Sequence, residues 1–123
     1  MSLETSGIGY VMLGVTDMDR STKFYEQTLG RKLVFRAEDS LAFFDGGSIM
    51  IGLNTGLAAR RHPVAGASEL VFKVDSVKPA WRALKDRGVV FVTEPRQATD
   101  KDWAATFMDP DGHYLTLFGP PGE

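Results

Sequence analysis

The chain has 123 residues, 43% of them apolar and 24% charged, and no cysteine. This suits one domain with a self-sufficient core and excludes a disulfide framework or a thiolate metal site. A formal net charge of -2 and a pI near 5.7 argue against nucleic acid as a partner, because phosphate binding needs a basic face.

No apolar run nears the roughly 20 residues of a membrane span. The start lacks a basic segment followed by a hydrophobic one, so no secretory signal is expected. A reducing compartment fits the absence of cysteine, and a cytoplasmic protein without a membrane partner is the expectation.

The first strand is expected near residues 9–15, ending at Asp17, a good helix N-cap. A helix over about 17–28 follows, with Met18, Tyr25 and Leu29 at helical spacing. Gly30 stops it. Three short strands come next, near 31–37, 40–45 and 48–53, with Gly46-Gly47 turning the last pair. Residues 54–67, NTGLAARRHPVAGA, show no strong periodicity and read as a linker.

The order then repeats. A strand near 69–74 leads to Asp75-Ser76, another cap, and a helix over about 76–87. Val77, Ala80, Trp81 and Leu84 form its apolar stripe, and Pro79 sits in the first turn, where a missing N–H costs little. Gly88 ends it. Strands near 89–94, 103–108 and 113–118 complete the second half, the last two joined by Asp109-Pro110-Asp111-Gly112, a strong turn signal. The last residues are given no weight.

Self-similarity supports the doubling. Tyr10–Val15 aligns with Glu69–Val74, 59 residues on. Phe44-Asp45-Gly46-Gly47 resembles Met108-Asp109-Pro110-Asp111-Gly112, with Asp45 and Asp109 offset by 64. The predicted class is α+β. One domain over 1–123 contains a βαβββ module over 8–53 and another over 68–118.

Side chains alternate across a strand. Val11, Leu13 and Val15, with Ile49, Ile51 and Leu53, suit the face under the first helix. That leaves Tyr10, Met12, Gly14, Ser48, Met50 and Gly52 on the other face. In the second half Leu70, Phe72, Val74, Leu115 and Leu117 go under the helix, leaving Glu69, Val71, Lys73, Tyr114, Thr116 and Phe118. This mixed set fits a concave surface for a mostly apolar small molecule. Packing against a second sheet or another subunit is the alternative.

At this point the residues match a family. VMLGVTDMDRSTKFYEQTLG, with Asp17, Phe24-Tyr25 and Leu29-Gly30, resembles the opening of the vicinal oxygen chelate (glyoxalase / bleomycin resistance / dioxygenase) superfamily. FMDPDGHYLTLF resembles that family's turn and last strand. The resemblance covers about residues 8–118 and implies two βαβββ modules forming a partial-barrel cleft. In the family's enzymes a divalent metal sits in the cleft, with His and Glu ligands from the first and last strand of each module.

By that resemblance the four ligand positions fall on Tyr10, Gly52, Glu69 and Thr116. Gly52 has no side chain, Thr116 is a neutral hydroxyl, and Tyr10 would need to bind as phenolate, from a pKa of about 10. Only Glu69 is an ordinary ligand, and one carboxylate does not hold a metal. No metal or other cofactor is expected. The two histidines, His62 in the linker and His113 off the cleft parity, read as solvent-exposed.

The expected ligand-binding set is Tyr10, Met12, Met50, Gly52, Glu69, Trp103, Tyr114 and Thr116. Trp103 is placed near the cleft mouth by family analogy. Three functions stand: a metal-free member that sequesters a hydrophobic or aromatic small molecule, an enzyme, or an interaction module whose cleft is filled by its own side chains. The enzyme is a metal-dependent lyase or dioxygenase, or an isomerase with Glu69 as general base. The first is preferred. A homodimer is expected, because exposed sheet edges and an apolar concave face favour pairing.

Overall fold

A computed structural model describes residues 3–123. The chain divides into two compact units, Met1–His62 and Pro63–Glu123. Each repeats one plan, strand, helix and three strands, so the α+β, doubled βαβββ reading holds.

In the first unit β1 (Tyr10–Gly14) enters α1 (Met18–Lys23). Asp17 caps α1 as expected, its carboxylate accepting from Arg20 N at 3.1 Å. The helix then widens into a π turn, Phe24–Thr28, where Leu29 N donates to Phe24 O at 2.9 Å. The widening keeps Tyr25 fully buried against Phe44 and lets Gly30 leave the helix at φ 72. Strands β2 (Leu33–Ala37), β3 (Leu41–Asp45) and β4 (Met50–Asn54) follow.

The sheet order is β1-β4-β3-β2. β1 pairs parallel with β4, the others antiparallel. One inner face, with Leu13, Ala42, Phe44, Ile51 and Leu53, is buried. Arg36 ties the β2–β3 turn to α1, reaching Asp19 at 2.6 Å and Asp39 at 3.3 Å. The hydrogen bond to Asp19 raises the Arg36 pKa above its ordinary value.

The segment read as an irregular linker opens instead with α2 (Thr55–Arg60). Asn54 ends β4 and also caps this helix, its side-chain oxygen accepting from Leu57 N at 3.2 Å. Asn54→Ala is expected to lower stability by about 1 kcal/mol, the usual value of such a cap, measured by urea unfolding. A negligible change would mean that the buried Ala58, rather than the cap, holds the helix.

The second unit runs β5 (Glu69–Lys73), α3 (Val77–Asp86), β6 (Phe91–Gln97), β7 (Trp103–Met108) and β8 (Tyr114–Gly119), in sheet order β5-β8-β7-β6. Val77 and Leu84 of the expected stripe are buried, while Ala80 and Trp81 are half-buried. Trp81 meets Phe91 edge-on, with Lys85 over its ring.

Ser76 takes the cap position, but its hydroxyl makes no cap bond. Val77 N and Lys78 N donate instead to Pro120 O and Pro121 O, at 2.8 and 2.9 Å. The last residues, to which the sequence assigned no role, thus satisfy donors that a helix start leaves open. The outer strand β6 carries Pro95 and two breaks in register against β7.

The pairing also refines the repeat. Tyr10 and Glu69 occupy equivalent places, as do Gly52 and Thr116. In the third strands, however, Phe44 faces Ile51 as Phe107 faces Leu115. Phe44 therefore corresponds to Phe107, not to Met108, and the second turn is one residue longer.

Candidate functional site

Each unit presents one open sheet face, and the strand registers fix what lies on it. In the first unit Tyr10 stands beside Met50, Met12 beside Gly52, and Gly52 beside Phe43. Phe43 in turn stands beside Phe35. Tyr10 is 53% and Phe35 52% exposed. The Tyr10 ring meets Phe43 edge-on at 5.1 Å, and Phe35 lies 6.4 Å from Phe43. The face is an aromatic and methionine platform. Phe35 and Phe43 are absent from the expected set, yet Phe43 alternates with the inward Phe44 and is legible on that signal.

Gly52 is buried under its neighbours. A Cβ there would overlap Met12 Sδ and come within 3.0 Å of Phe43 Cε1. A ligating side chain at this position would therefore have to displace the methionine.

In the second unit the open face carries a polar chain. Thr116 Oγ1 donates to Glu69 Oε2 at 2.5 Å, and Thr106 Oγ1 lies 2.8 Å from Thr116 Oγ1. Both threonines are 5% exposed, whereas Glu69 is exposed. Thr106 N donates to Thr93 Oγ1 at 3.1 Å, and Arg96 Nη1 reaches the same oxygen at 3.5 Å. Glu69, Thr116, Thr106 and Arg96 line one concavity of about 310 Å³, with Val71 and Phe118 among its apolar walls. Thr106 is missing from the expected set although it shares the parity of its strand. Arg96 is missing because the breaks in β6 interrupt the alternation that would have revealed it.

Two expected residues are placed differently from the reading. Trp103 pairs with Gly119 and alternates with Ala104, so it lies on the face opposite this concavity. Lys78 of α3 sits over its ring at 4.7 Å. Family analogy placed it at the cleft mouth, and strand parity corrects that. Tyr114 stands beside Glu69 on the open face, but it is half-buried. A Cβ on Gly66 would lie 3.0 Å from Tyr114 Cζ, so the ring packs on the unit's own chain.

The histidines differ from expectation in one case. His62 is exposed and borders a separate depression with Val15 and Thr55. His113 is buried at 8%, with Nδ1 3.5 Å from Ser68 Oγ, and its backbone N–H donates to Asp109 Oδ1 at 2.9 Å. It anchors the Asp109 turn rather than meeting solvent.

Within each unit the family's ligand positions offer few metal donors. One half offers a phenol and a glycine hidden by Met12, and the other a carboxylate already engaged by Thr116. Among the described residues no group of three or more His, Cys, Asp or Glu is arranged to hold one.

The doubled plan and the two open faces define a known class. The chain belongs to the Glyoxalase/Bleomycin resistance protein/Dioxygenase superfamily, whose model matches residues 7–117. It is 30% identical over 115 residues to metallothiol transferase FosB of Bacillus licheniformis, covering 90% of this chain and 73% of that one. It is 27% identical over 145 residues to lactoylglutathione lyase of Schizosaccharomyces pombe, covering 94% of this chain but only 48% of the yeast protein. In fold it is similar to TnmS3, an antibiotic binding protein from a Streptomyces species, with a TM-score of 0.79 at 23% identity over 97% of this chain and 99% of that one. No helix among the described residues is long and apolar enough to cross a membrane.

Proposed function

We propose that this protein is a metal-free, small-molecule-binding member of its superfamily that sequesters a mostly apolar or aromatic ligand. The observation that carries this is the state of the four family ligand positions. Tyr10 lies against Phe43, Gly52 is covered by Met12, and Glu69 and Thr116 are bound to each other. The polar groups are mutually engaged, and the surrounding surfaces are aromatic and aliphatic. Such faces gain by covering an apolar body, at roughly 25 cal/mol per Å² removed from water. The fold's likeness to an antibiotic binding protein agrees with sequestration. A homodimer is part of the proposal, supported by the exposed Tyr10, Phe35 and Val71.

A second reading is catalytic: a lyase, isomerase or dioxygenase using a divalent metal or Glu69 as general base. It is favoured by the enzyme names of the two curated relatives and by the exposure of Glu69 at the concavity. Titration of a panel of aromatic compounds, with and without a chelator, separates the two. Sequestration predicts saturable binding, unchanged by chelation and without product. Under it Glu69→Gln shifts affinity by no more than about tenfold, the value of one charge-assisted hydrogen bond. Turnover that disappears on chelation or in Glu69→Gln would overturn it.

A further inference from the structure

The hydrogen bonds of the second unit specify what an occupant of its concavity must carry. A threonine hydroxyl has one proton to give and lone pairs to receive. Thr116 gives its proton to Glu69. The 2.8 Å contact between the threonines must therefore use the Thr106 proton, donated to Thr116 Oγ1. Both hydroxyl protons in the lining are spent and point toward Glu69. What remains there for a ligand is acceptors, the Glu69 carboxylate and the hydroxyl oxygens.

The one side-chain donor in the lining lies at the other end. Among the described residues Arg96 makes a single long bond, to Thr93 Oγ1 at 3.5 Å, and no ion pair. Most of its five N–H groups are thus open. Glu69 is on β5 and Arg96 on β6, the two outer strands of this four-stranded sheet. With neighbouring strands roughly 4.8 Å apart, their axes are separated by about 14 Å. Arg96 bends toward Thr93, in the row of Thr106 and Thr116, so both ends border one concavity of about 310 Å³, a size for a fused two-ring body. Val71 and Phe118 supply the apolar surface between.

We infer that the ligand is a planar aromatic acid with a hydroxyl or amine at its far end. Its donor meets Glu69, its ring system covers Val71 and Phe118, and its carboxylate is held by Arg96. A guanidinium suits this because its fork matches a carboxylate in bidentate geometry. This rests on the small-molecule-binding function proposed above and narrows it to a substrate class.

The test uses the full chain and four probes followed by fluorescence: 6-hydroxy-2-naphthoate, its methyl ester, 2-naphthoate and 2-naphthol. The hydroxy acid should bind most tightly. Arg96→Ala should weaken both acids by at least about tenfold, the value of a charge-assisted hydrogen bond, and leave 2-naphthol within about twofold. Lys73→Ala is the control, since Lys73 stands beside Phe118 on the same face but outside the lining; it should change neither. Equal binding of acid and ester, or an equal loss of 2-naphthol in Arg96→Ala, overturns the acid assignment while leaving an aromatic binder. Tighter binding of 2-naphthoate than of the hydroxy acid overturns the donor assignment. No binding of any probe, or of a neutral hydrophobic dye, overturns the binding function and this inference together.

Discussion

Phe44→Ala should lower stability by about 3–5 kcal/mol, and Phe107→Ala by a similar amount. Both rings are fully buried at equivalent places on the third strand of their units. Phe44 packs on Tyr25 with centroids 5.7 Å apart, and Phe107 on Phe91 at 5.2 Å. Truncation removes the apolar area and leaves a cavity between a sheet and its helix that rigid neighbours cannot close. Urea unfolding should show the midpoint fall in both variants. The comparison that matters is Phe35→Ala. That ring is half exposed on the open face, and its loss should cost under about 1 kcal/mol. A cost equal to that of Phe44 would mean that the face is covered in solution, by a second copy of the chain or by another partner.

Gly119→Ala is expected to cost about 3 kcal/mol, the upper end for overpacking. A Cβ at this position would overlap the Val74 carbonyl oxygen. That oxygen is backbone, and Val74 is fixed by donating its own N–H to Phe118 O at 3.0 Å. The clash can be relieved only by parting β5 from β8. Reduced freedom of the unfolded chain returns about 0.4–1 kcal/mol, too little to change the sign. Gly52→Ala is the instructive contrast. Its closest obstacle is the Met12 sulphur, the far part of a flexible side chain, so a cost below about 1 kcal/mol is expected. Thermal unfolding of both variants checks this, and equal losses would show that Met12 is as rigid as backbone.

Much of this was legible in the amino-acid order. Alternation placed Tyr10, Met12, Glu69 and Thr116 on open faces, and Asp17, Gly30 and Gly88 marked helix ends, because those signals are local. What was lost depends on partners distant in sequence. α2 starts where a strand ends, at Asn54, and has Gly56 in its first turn, so no apolar period announces it. Arg96 lies beyond breaks that reset the parity of β6. The third strands were matched one residue out of step, because the longer second turn changes the offset while the pairing does not. His113 read as exposed because nothing local shows that Ser68 and the Asp109 turn enclose it.

The outer strand β6 of the second unit bears on how the protein behaves when crowded. A sheet edge recruits another chain only where successive amides and carbonyls project in a straight row. Pro95 removes one amide from β6, and its two breaks in register twist the row out of line. Fibre growth from that border is thereby discouraged. The corresponding outer strand of the first unit, β2, has a single break and no proline, and it leaves Val34 and Phe35 half exposed. Of these two borders, β2 is the one from which copies of this chain would add strand to strand.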